Sequence, residues 1–425
     1  MKNFNSLILF LLLGLLFSCS QLVHVDPLGI QENSATALKS PYVIMISLDG
    51  FRHDYLKNYD VPFMNSAAKK GIQAKRLIPV FPSKTFPNHY SLITGLYAEN
   101  HGLVANRFFD PSLNESYQLG VAKNTRQGKW YGGSPLWLSV RDQGMLSASF
   151  FWVGSDANIN GHYPNYYVPY DGKVANSKRV QQVIDWLKLP ESKRPHFLTL
   201  YFSDVDSAGH RYGPDSPEVA KAIAEVDQQI STLFENTSKL NLPVNFVIVS
   251  DHGMKAIENS KKVYLSEYID PTKAQFKERG PLTLIYLNKI ADLKGYKAAL
   301  KKVPFTKVYE RSELPKKFHF SSNARAGDLI LLGEPGAYIY PKKIRPSQEK
   351  PKEDKYSGGT HGYDPYESKE MSGIFLSFGP QVAIKGVIEP FENVHVYPYV
   401  MGLLGLPVKN KIDGDSKVLM KYIKR

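Results

Sequence analysis

Three short motifs place carboxylates and imidazoles at intervals that suit metal ligation. In "DSAGH", Asp206 and His210 stand four residues apart, so a helical turn would aim both at one point. In "SDHG", Asp251 and His252 are adjacent, and the glycine-rich "GTHGYD" supplies His361. Asp49, which closes the apolar run "YVIMISLDG", completes a set of three aspartates and three histidines. Imidazole nitrogen with carboxylate oxygen is a zinc-type donor set, whereas oxygen alone would suit magnesium or calcium. Six ligands divide naturally into two groups of three, each leaving a coordination position open. Two ions about 3.5–4 Å apart would clamp the attacking and leaving oxygens of an in-line phosphoryl transfer. Such a centre needs a nucleophile, and "FPSKTFPNHYSLITG" offers Thr85. Read alone, Thr85 is a helix N-cap, with Pro87 and Asn88 in the first turn. The same helix start presents unpaired N–H groups and the positive end of a dipole to an anion. Metal coordination lowers the pKa of bound water from about 15.7 to about 7, and a bound alcohol should respond in the same sense. Thr85 is therefore expected to serve as both cap and metal-activated nucleophile.

These residues can meet only if the fold carries them to one edge. "YVIMISLDG", "PHFLTLYFSDVD" and "PVNFVIVSDHG" are continuous apolar runs that end in aspartates: Asp49, Asp204 and Asp206, and Asp251. Runs of this kind read as buried parallel strands. Helical patterns at 62–70, from Thr85, and at 134–144, 177–188, 216–235 and 393–404 alternate with strands near 73–78, 145–154 and "GIFLSFG". The alternation predicts an α/β fold with a doubly wound, mostly parallel sheet, in which ligands bind beyond the carboxyl ends of the strands. After Met254 the pattern loosens. "PLTLIYLN", a helix near 291–302 and "GDLILLG" suggest a smaller inserted or peripheral subdomain at 256–355. The core then reads as 41–255 plus 356–425.

The 425-residue chain is 43% apolar, the composition of an ordinary globular protein. Its start differs. Lys2 precedes "LILFLLLGLLF", an apolar run too short to span a membrane, and then come Ser18 and Cys19. Residues 1–18 read as an export signal. Cys19, the chain's one cysteine, falls where a bacterial lipoprotein would carry its lipid, with 19–40 as a tether; plain secretion is the alternative. A single cysteine excludes an intramolecular disulfide. The net charge of +13 is spread over dispersed lysines and loops such as "KKIRPSQEKPKEDK". With no basic helix face, stable nucleic-acid binding is not expected.

Jointly, "SKTFPNHYSLITGLYAENHGLVAN", "DSAGHRYGP", "SDHGM" and "GTHGYD" resemble the signature segments of the nucleotide pyrophosphatase/phosphodiesterase family, within the alkaline-phosphatase-like superfamily. The resemblance runs in order from about Tyr42 to Leu404. It implies two zinc ions, one held by Asp49, Thr85, Asp251 and His252, the other by Asp206, His210 and His361. It also implies attack by Thr85 through a phosphothreonine intermediate, with Asn106 of "HGLVAN" donating a hydrogen bond to a phosphoryl oxygen. Ser203, Asp204 and Val205 depart from the acidic and proline residues usual before the second metal aspartate. The Asp-x-x-x-His spacing selects Asp206, with Asp204 behind it.

Family members divide between nucleotides and choline-phosphate lipids. Phe86 and Tyr170 match the rings that sandwich a base in the nucleotide-cleaving branch, and "FFWVGSDANING" places Trp152 and Asp156 where that branch builds the rest of the pocket. Stacking contributes about 1–3 kcal/mol per base and tolerates base identity. The expectation is hydrolysis of nucleotide diesters or anhydrides to nucleoside 5′-monophosphates. Alternatives are a choline-phosphate lipid phosphodiesterase, a phosphomonoesterase, or a surface binder of phosphorylated ligands.

Overall fold

The three apolar runs that end in aspartates form adjacent parallel strands at the centre of a twisted sheet. The structure is a computed structural model that describes residues 22–342, 358–383 and 386–424. The expected export signal, Cys19 and the Pro/Lys-rich stretch 343–355 lie outside the described residues. In chain order the main sheet comprises β1 (His24–Val25), β2 (Tyr42–Leu48), β3 (Gly71–Ala74), β4 (Ser147–Phe150), β5 (Tyr166–Val168), β6 (Phe197–Phe202), β7 (Val244–Val249), β8 (Phe375–Phe378) and β9 (Gly386–Ile388). Among the described residues the spatial order is β1-β5-β4-β6-β2-β7-β8-β3-β9. From β5 through β7 every pairing is parallel, as is β3 with β9. Strand β8 enters antiparallel to both β7 and β3, and β1 pairs antiparallel with β5.

Five helices matter for the site: α1 (Thr85–Thr94), α2 (Asn176–Leu187), α3 (Asp204–Tyr212), α4 (Pro217–Ser238) and α5 (Val396–Leu403). Helices cover both faces, so the central strands are apolar on both sides. Ile44, Ile46 and Leu48 pack with α2 and α4. Val43 and Met45 face the opposite cluster, with α1 and α5. Full burial of each such side chain contributes about 1.5–3 kcal/mol, enough to lock strand register. Helix α4 starts where "SPEVAKAI" implies, with Ser216 accepting from the Val219 N–H and Pro217 in the first turn.

A second, four-stranded antiparallel sheet has the order Ala274–Lys277, Leu282–Leu287, Leu329–Gly333, Thr306–Glu310. Its residues alternate strictly. Leu282, Leu284, Ile330 and Leu332 join the core beneath α1, while Ile285, Leu329 and Leu331 pack on the outer face against helix Leu293–Leu300.

The expected tether is docked over its described part, 22–40. Asn33 is buried, accepts from the Leu146 N–H at 2.8 Å and donates to the Arg194 carbonyl at 2.7 Å. Strand β1 adds an edge to the main sheet. These contacts are long-range and polar, so no local periodicity announces them.

Candidate metal centre and active site

Strands β6, β2 and β7 lie side by side, and their carboxyl ends deliver the aspartates together. Asp49 follows β2, Asp206 lies in the first turn of α3 just after β6, and Asp251 follows β7. Gly50 permits the close approach: it adopts φ +69°, and a Cβ there would stand 2.8 Å from the Asp206 Cα. The Asp206 N–H then donates to the Asp49 carbonyl at 3.0 Å. His361 arrives through a short antiparallel ladder, in which Thr360 pairs with Lys255 just after His252. The His252 and His361 rings stack, with centroids 3.5 Å apart.

The three histidines share one arrangement. The Nδ1 atoms of His210, His252 and His361 lie 2.8 Å from the carbonyl oxygens of Gly359, Gly253 and Ser83. A ring that donates from Nδ1 leaves the Nε2 lone pair free, the tautomer that ligates metal. His252 Nε2 lies 3.0 Å from Asp251 Oδ2 and 3.5 Å from Asp49 Oδ1. His210 Nε2 and His361 Nε2 lie 3.4 and 3.9 Å from Asp206 Oδ1. Those same oxygens, Asp49 Oδ1, Asp206 Oδ1 and Asp251 Oδ2, are buried without a hydrogen-bond partner. Buried polar atoms are nearly always paired, so orphaned carboxylate oxygens facing imidazole lone pairs fit a cation. The donor chemistry suits zinc.

The electrostatics of the cluster are mixed: burial opposes charge on His252, but the neighbouring Asp251 carboxylate outweighs it and pushes that imidazole up. Burial, then the neighbouring Asp251 and Asp206 carboxylates, push the Asp49 carboxyl well above its ordinary range. Burial also pushes His210 and His361 down, favouring the neutral, ligating imidazole. Burial opposes ionisation of Asp251 as well, but His252 and His89 outweigh it and hold that carboxyl well below its usual value.

Thr85 meets this cluster from the start of α1, though not as the cap. Lys84 occupies the N-cap position in an extended conformation, Thr85 is the first helical residue, and the N-cap side chain makes no capping hydrogen bond. The Thr85 hydroxyl lies 3.2 Å from His252 Nε2 instead. A capping hydroxyl would be engaged with backbone N–H groups; this one faces the ligand cluster. The Asp204 carboxylate accepts from Asn176 on α2 at 3.0 Å, whereas Asp206 faces His210 and His361.

The site uses further residues that sequence reasoning passed over. His89 is fully buried, with Nδ1 2.9 Å from the Thr85 carbonyl and 3.3 Å from Asp251 Oδ2, and Nε2 2.8 Å from the Ser47 hydroxyl. Its ring converges with Asp49 and Asp251, but its two nitrogens are engaged by the Thr85 carbonyl and the Ser47 hydroxyl, which holds the ring beside Asp251 rather than free as a ligand. Its spacing of four from Thr85 on one helix face was the available signal. Tyr201 donates to Asp49 Oδ2 at 2.6 Å, fixing which oxygen points inward.

Two cavities flank Thr85. One, of about 360 Å³, is bounded by Asp49, Thr85, Phe86, Trp152, Asp156 and Tyr170. Phe86 and Tyr170 thus face one space, with Tyr170 half exposed at its mouth. Trp152 is buried, and its indole N–H donates to the His89 carbonyl at 3.0 Å, tying the cavity wall to α1. Asp156 pairs with Arg126 at 3.0 Å. The other cavity, of about 130 Å³, joins Thr85 and Asn106 to Asp206, His210 and His361. Asn106 Oδ1 accepts from the Phe86 N–H at 2.9 Å, which leaves the amide Nδ2 as this side chain's donor.

A buried anionic cluster at the ends of parallel strands, with a hydroxyl at a helix start, defines an α/β protein of the alkaline-phosphatase-like type. Residues 43–364 match the family described as Type I phosphodiesterase / nucleotide pyrophosphatase. The chain belongs to that family. Human ectonucleotide pyrophosphatase/phosphodiesterase family member 1 is 36% identical over 382 residues, covering 87% of this chain and 40% of the relative. The venom phosphodiesterase of Crotalus durissus collilineatus is 36% identical over 411 residues, covering 93% and 48%. The chain thus spans less than half the length of these curated relatives. Among solved structures, murine ectonucleotide pyrophosphatase / phosphodiesterase 5, as an inactive threonine-to-alanine variant in complex with AMP, superposes with TM-score 0.83 at 30% identity. That match covers 90% of this chain and all of the murine one. Among the described residues no helix is long and apolar enough to cross a membrane.

Proposed function

We propose that this protein is a zinc-dependent phosphodiesterase/pyrophosphatase that releases nucleoside 5′-monophosphates from nucleotide diesters or anhydrides. The observation that carries the reading is the position of the Thr85 hydroxyl, 3.2 Å from His252 Nε2, where the ligand cluster meets the aromatic cavity. Asp49, Asp251 and His252, with Thr85, would hold one zinc ion; Asp206, His210 and His361 would hold the other. When bound, the ions supply Lewis acidity that lowers the hydroxyl pKa and neutralises developing charge. Phe86 and Tyr170 hold the base, and Asn106 Nδ2 donates to a phosphoryl oxygen. Thr85 Oγ1 forms the new P–O bond as the leaving-group oxygen departs, and water then hydrolyses the phosphothreonine ester. The AMP complex of the inactive murine variant supports a nucleotide substrate. Export agrees with the ecto- and venom enzymes among the relatives, and membrane attachment through a lipid on Cys19 is part of the same reading. So is division of the chain into a core and a subdomain at 256–355.

The test compares zinc-loaded protein with Thr85→Ala on nitrophenyl esters of thymidine 5′-monophosphate, phosphate and phosphocholine. The reading requires the nucleotide ester to be favoured and its turnover to vanish in the variant. Preference for phosphocholine would move the protein to the lipid branch. Ligand binding without turnover of any ester would make it a binder.

A further inference from the structure

We propose that Arg179 is a positioning residue of the aromatic cavity, a single buried guanidinium that sets the spacing of the walls between which a base would lie. The proposal rests on the nucleotide reading above and adds what fixes the width of that cavity. Phe86 and Tyr170 can sandwich a base only if Tyr170 stands at a set distance. Yet Tyr170 is 52% exposed and sits on the connection between β5 and α2, so its own burial does not hold it. Its ring meets Phe151 and Tyr201 edge-on, with centroids 5.2 and 6.2 Å away. Those two residues bound the same cavity. Whatever places Phe151, Tyr201 and the connection therefore places Tyr170.

The sheet opens at this point. Strand β4 runs beside β6 as far as Phe150, opposite Leu200. At Phe151 the chain leaves the ladder with φ +69°, the left-handed region that bulky residues seldom adopt, and its side chain stays buried. Successive carbonyls along a strand point to opposite neighbours. The Phe202 carbonyl turns toward β2 and accepts from the Asp49 N–H at 2.9 Å, so the Tyr201 carbonyl turns toward the side that β4 has left. A buried carbonyl without a partner is unfavourable. Arg179 on α2 supplies the partner, its Nη1 donating to the Tyr201 carbonyl at 3.0 Å.

The same side chain reaches the other two walls. Its Nε donates at 3.0 Å to the carbonyl of Val174, in the connection that carries Tyr170. Its guanidinium carbon lies 5.1 Å from the centre of the Phe151 ring. Arg179 is 3% exposed, and burial works against its charge, a cost that engaged donors offset. Asn176, one turn earlier on α2, donates to Asp204 at 3.0 Å and fixes the helix start behind the cavity. A strained conformation persists only where its surroundings over-determine it, and such positions cluster at ligand clamps. Phe151 is held in this way, between the Arg179 guanidinium and the rings of Phe150 and Tyr170. The planar fork of an arginine can span two carbonyls and cover a ring at once, whereas the ammonium of a lysine is a point donor.

The experiment measures kcat and KM of zinc-loaded wild type, Arg179→Met and Arg179→Lys. The substrates are the nitrophenyl ester of thymidine 5′-monophosphate and bis(nitrophenyl) phosphate, which has no base. In both variants KM for the nucleotide ester should rise about tenfold, while its kcat and both constants for bis(nitrophenyl) phosphate stay within about threefold of wild type. Lysine separates the fork from the charge, and it keeps a buried cation should the methionine variant fail to fold. A nucleotide KM within threefold of wild type in the lysine variant, or an equal loss on both substrates, overturns the assignment. A wild type that cleaves both compounds with no KM advantage for the nucleotide would instead sink the nucleotide reading itself.

Discussion

On the proposed two-zinc reading, metal loading should raise the unfolding midpoint in two resolvable steps. Three orphaned carboxylate oxygens and three Nε2 atoms face one another among Asp49, Asp206, Asp251 and the three histidines. An ion that binds only the folded state stabilises it by about 2.7 kcal/mol at a free concentration one hundred times its Kd. Unfolding entropy near 60 °C is about 2.1 cal/mol/K per residue. For 425 residues that amounts to about 0.9 kcal/mol/K. Each site should therefore add about 3 °C, and both together about 6 °C. The assay is scanning calorimetry of chelator-stripped protein titrated with zinc at fixed pH. His361→Ala should abolish one step and Asp251→Asn the other. Magnesium should reproduce little of the shift, since half of the six ligand residues offer nitrogen. A midpoint that ignores zinc, or a rise that survives both substitutions intact, would refute the metal assignment.

Two further outcomes follow from the same geometry. Phe86→Ala removes one face of the expected base stack, so KM for the nitrophenyl nucleotide ester should rise about 5- to 150-fold, the equivalent of ~1–3 kcal/mol. Bis(nitrophenyl) phosphate, which has no base, should lose much less, and an equal loss on both would exclude stacking. His101 is fully buried, accepts from the Leu103 N–H at Nδ1 and lies 3.0 Å from the Ser91 hydroxyl through Nε2. Burial pushes this imidazole down to about 3, so the unfolded chain binds a proton that the folded one refuses. Stability is intact above the ordinary histidine pKa and falls as pH drops below about 6.5, by about 2 kcal/mol at pH 5. Urea unfolding of wild type and His101→Gln at pH 7.5 and 5 should show a weaker pH dependence in the variant.

How much of this was legible depended on whether the cause was local. Strands β2, β6 and β7 were readable because burial on both faces demands continuous apolar runs, and the aspartates end those runs in plain sequence. Asp206 and His210 were readable because four residues make one helical turn. The antiparallel direction of β8 was not, since "GIFLSFG" has the same composition in either direction. Thr85 was misjudged as a cap because Lys84 and Thr85 both precede the apolar helix, and only the extended backbone of Lys84 decides between them. Tyr201 and Glu278 left no trace, as each acts on a partner far away in the chain: Tyr201 on Asp49 and Glu278 on Arg107. Asn33 and β1 were hidden for the same reason.

The second sheet bears on the chemistry through the segment it holds. Arg325, beside that sheet, donates to Asp110 at 2.6 Å and to the Gly102 and Trp130 carbonyls at 3.0 Å each. Glu278 fixes the Arg107 N–H, while Asn106 accepts from Leu119 N–H through its carbonyl and from Phe86 N–H through its side chain. The stretch from 102 to 130 is thus pinned from below by α1 and from above by the second sheet. That stretch supplies Asn106 and Arg107 to one cavity and Gly120, Thr125 and Arg126 to the other. The parallel strands place Asp49, Asp206 and Asp251, while His361 comes through the Lys255–Thr360 ladder and Thr85 on α1. The surfaces that would sort one phosphoester from another hang between the two sheets, so substrate preference can change in the loops of either while the ligand cluster stays as it is.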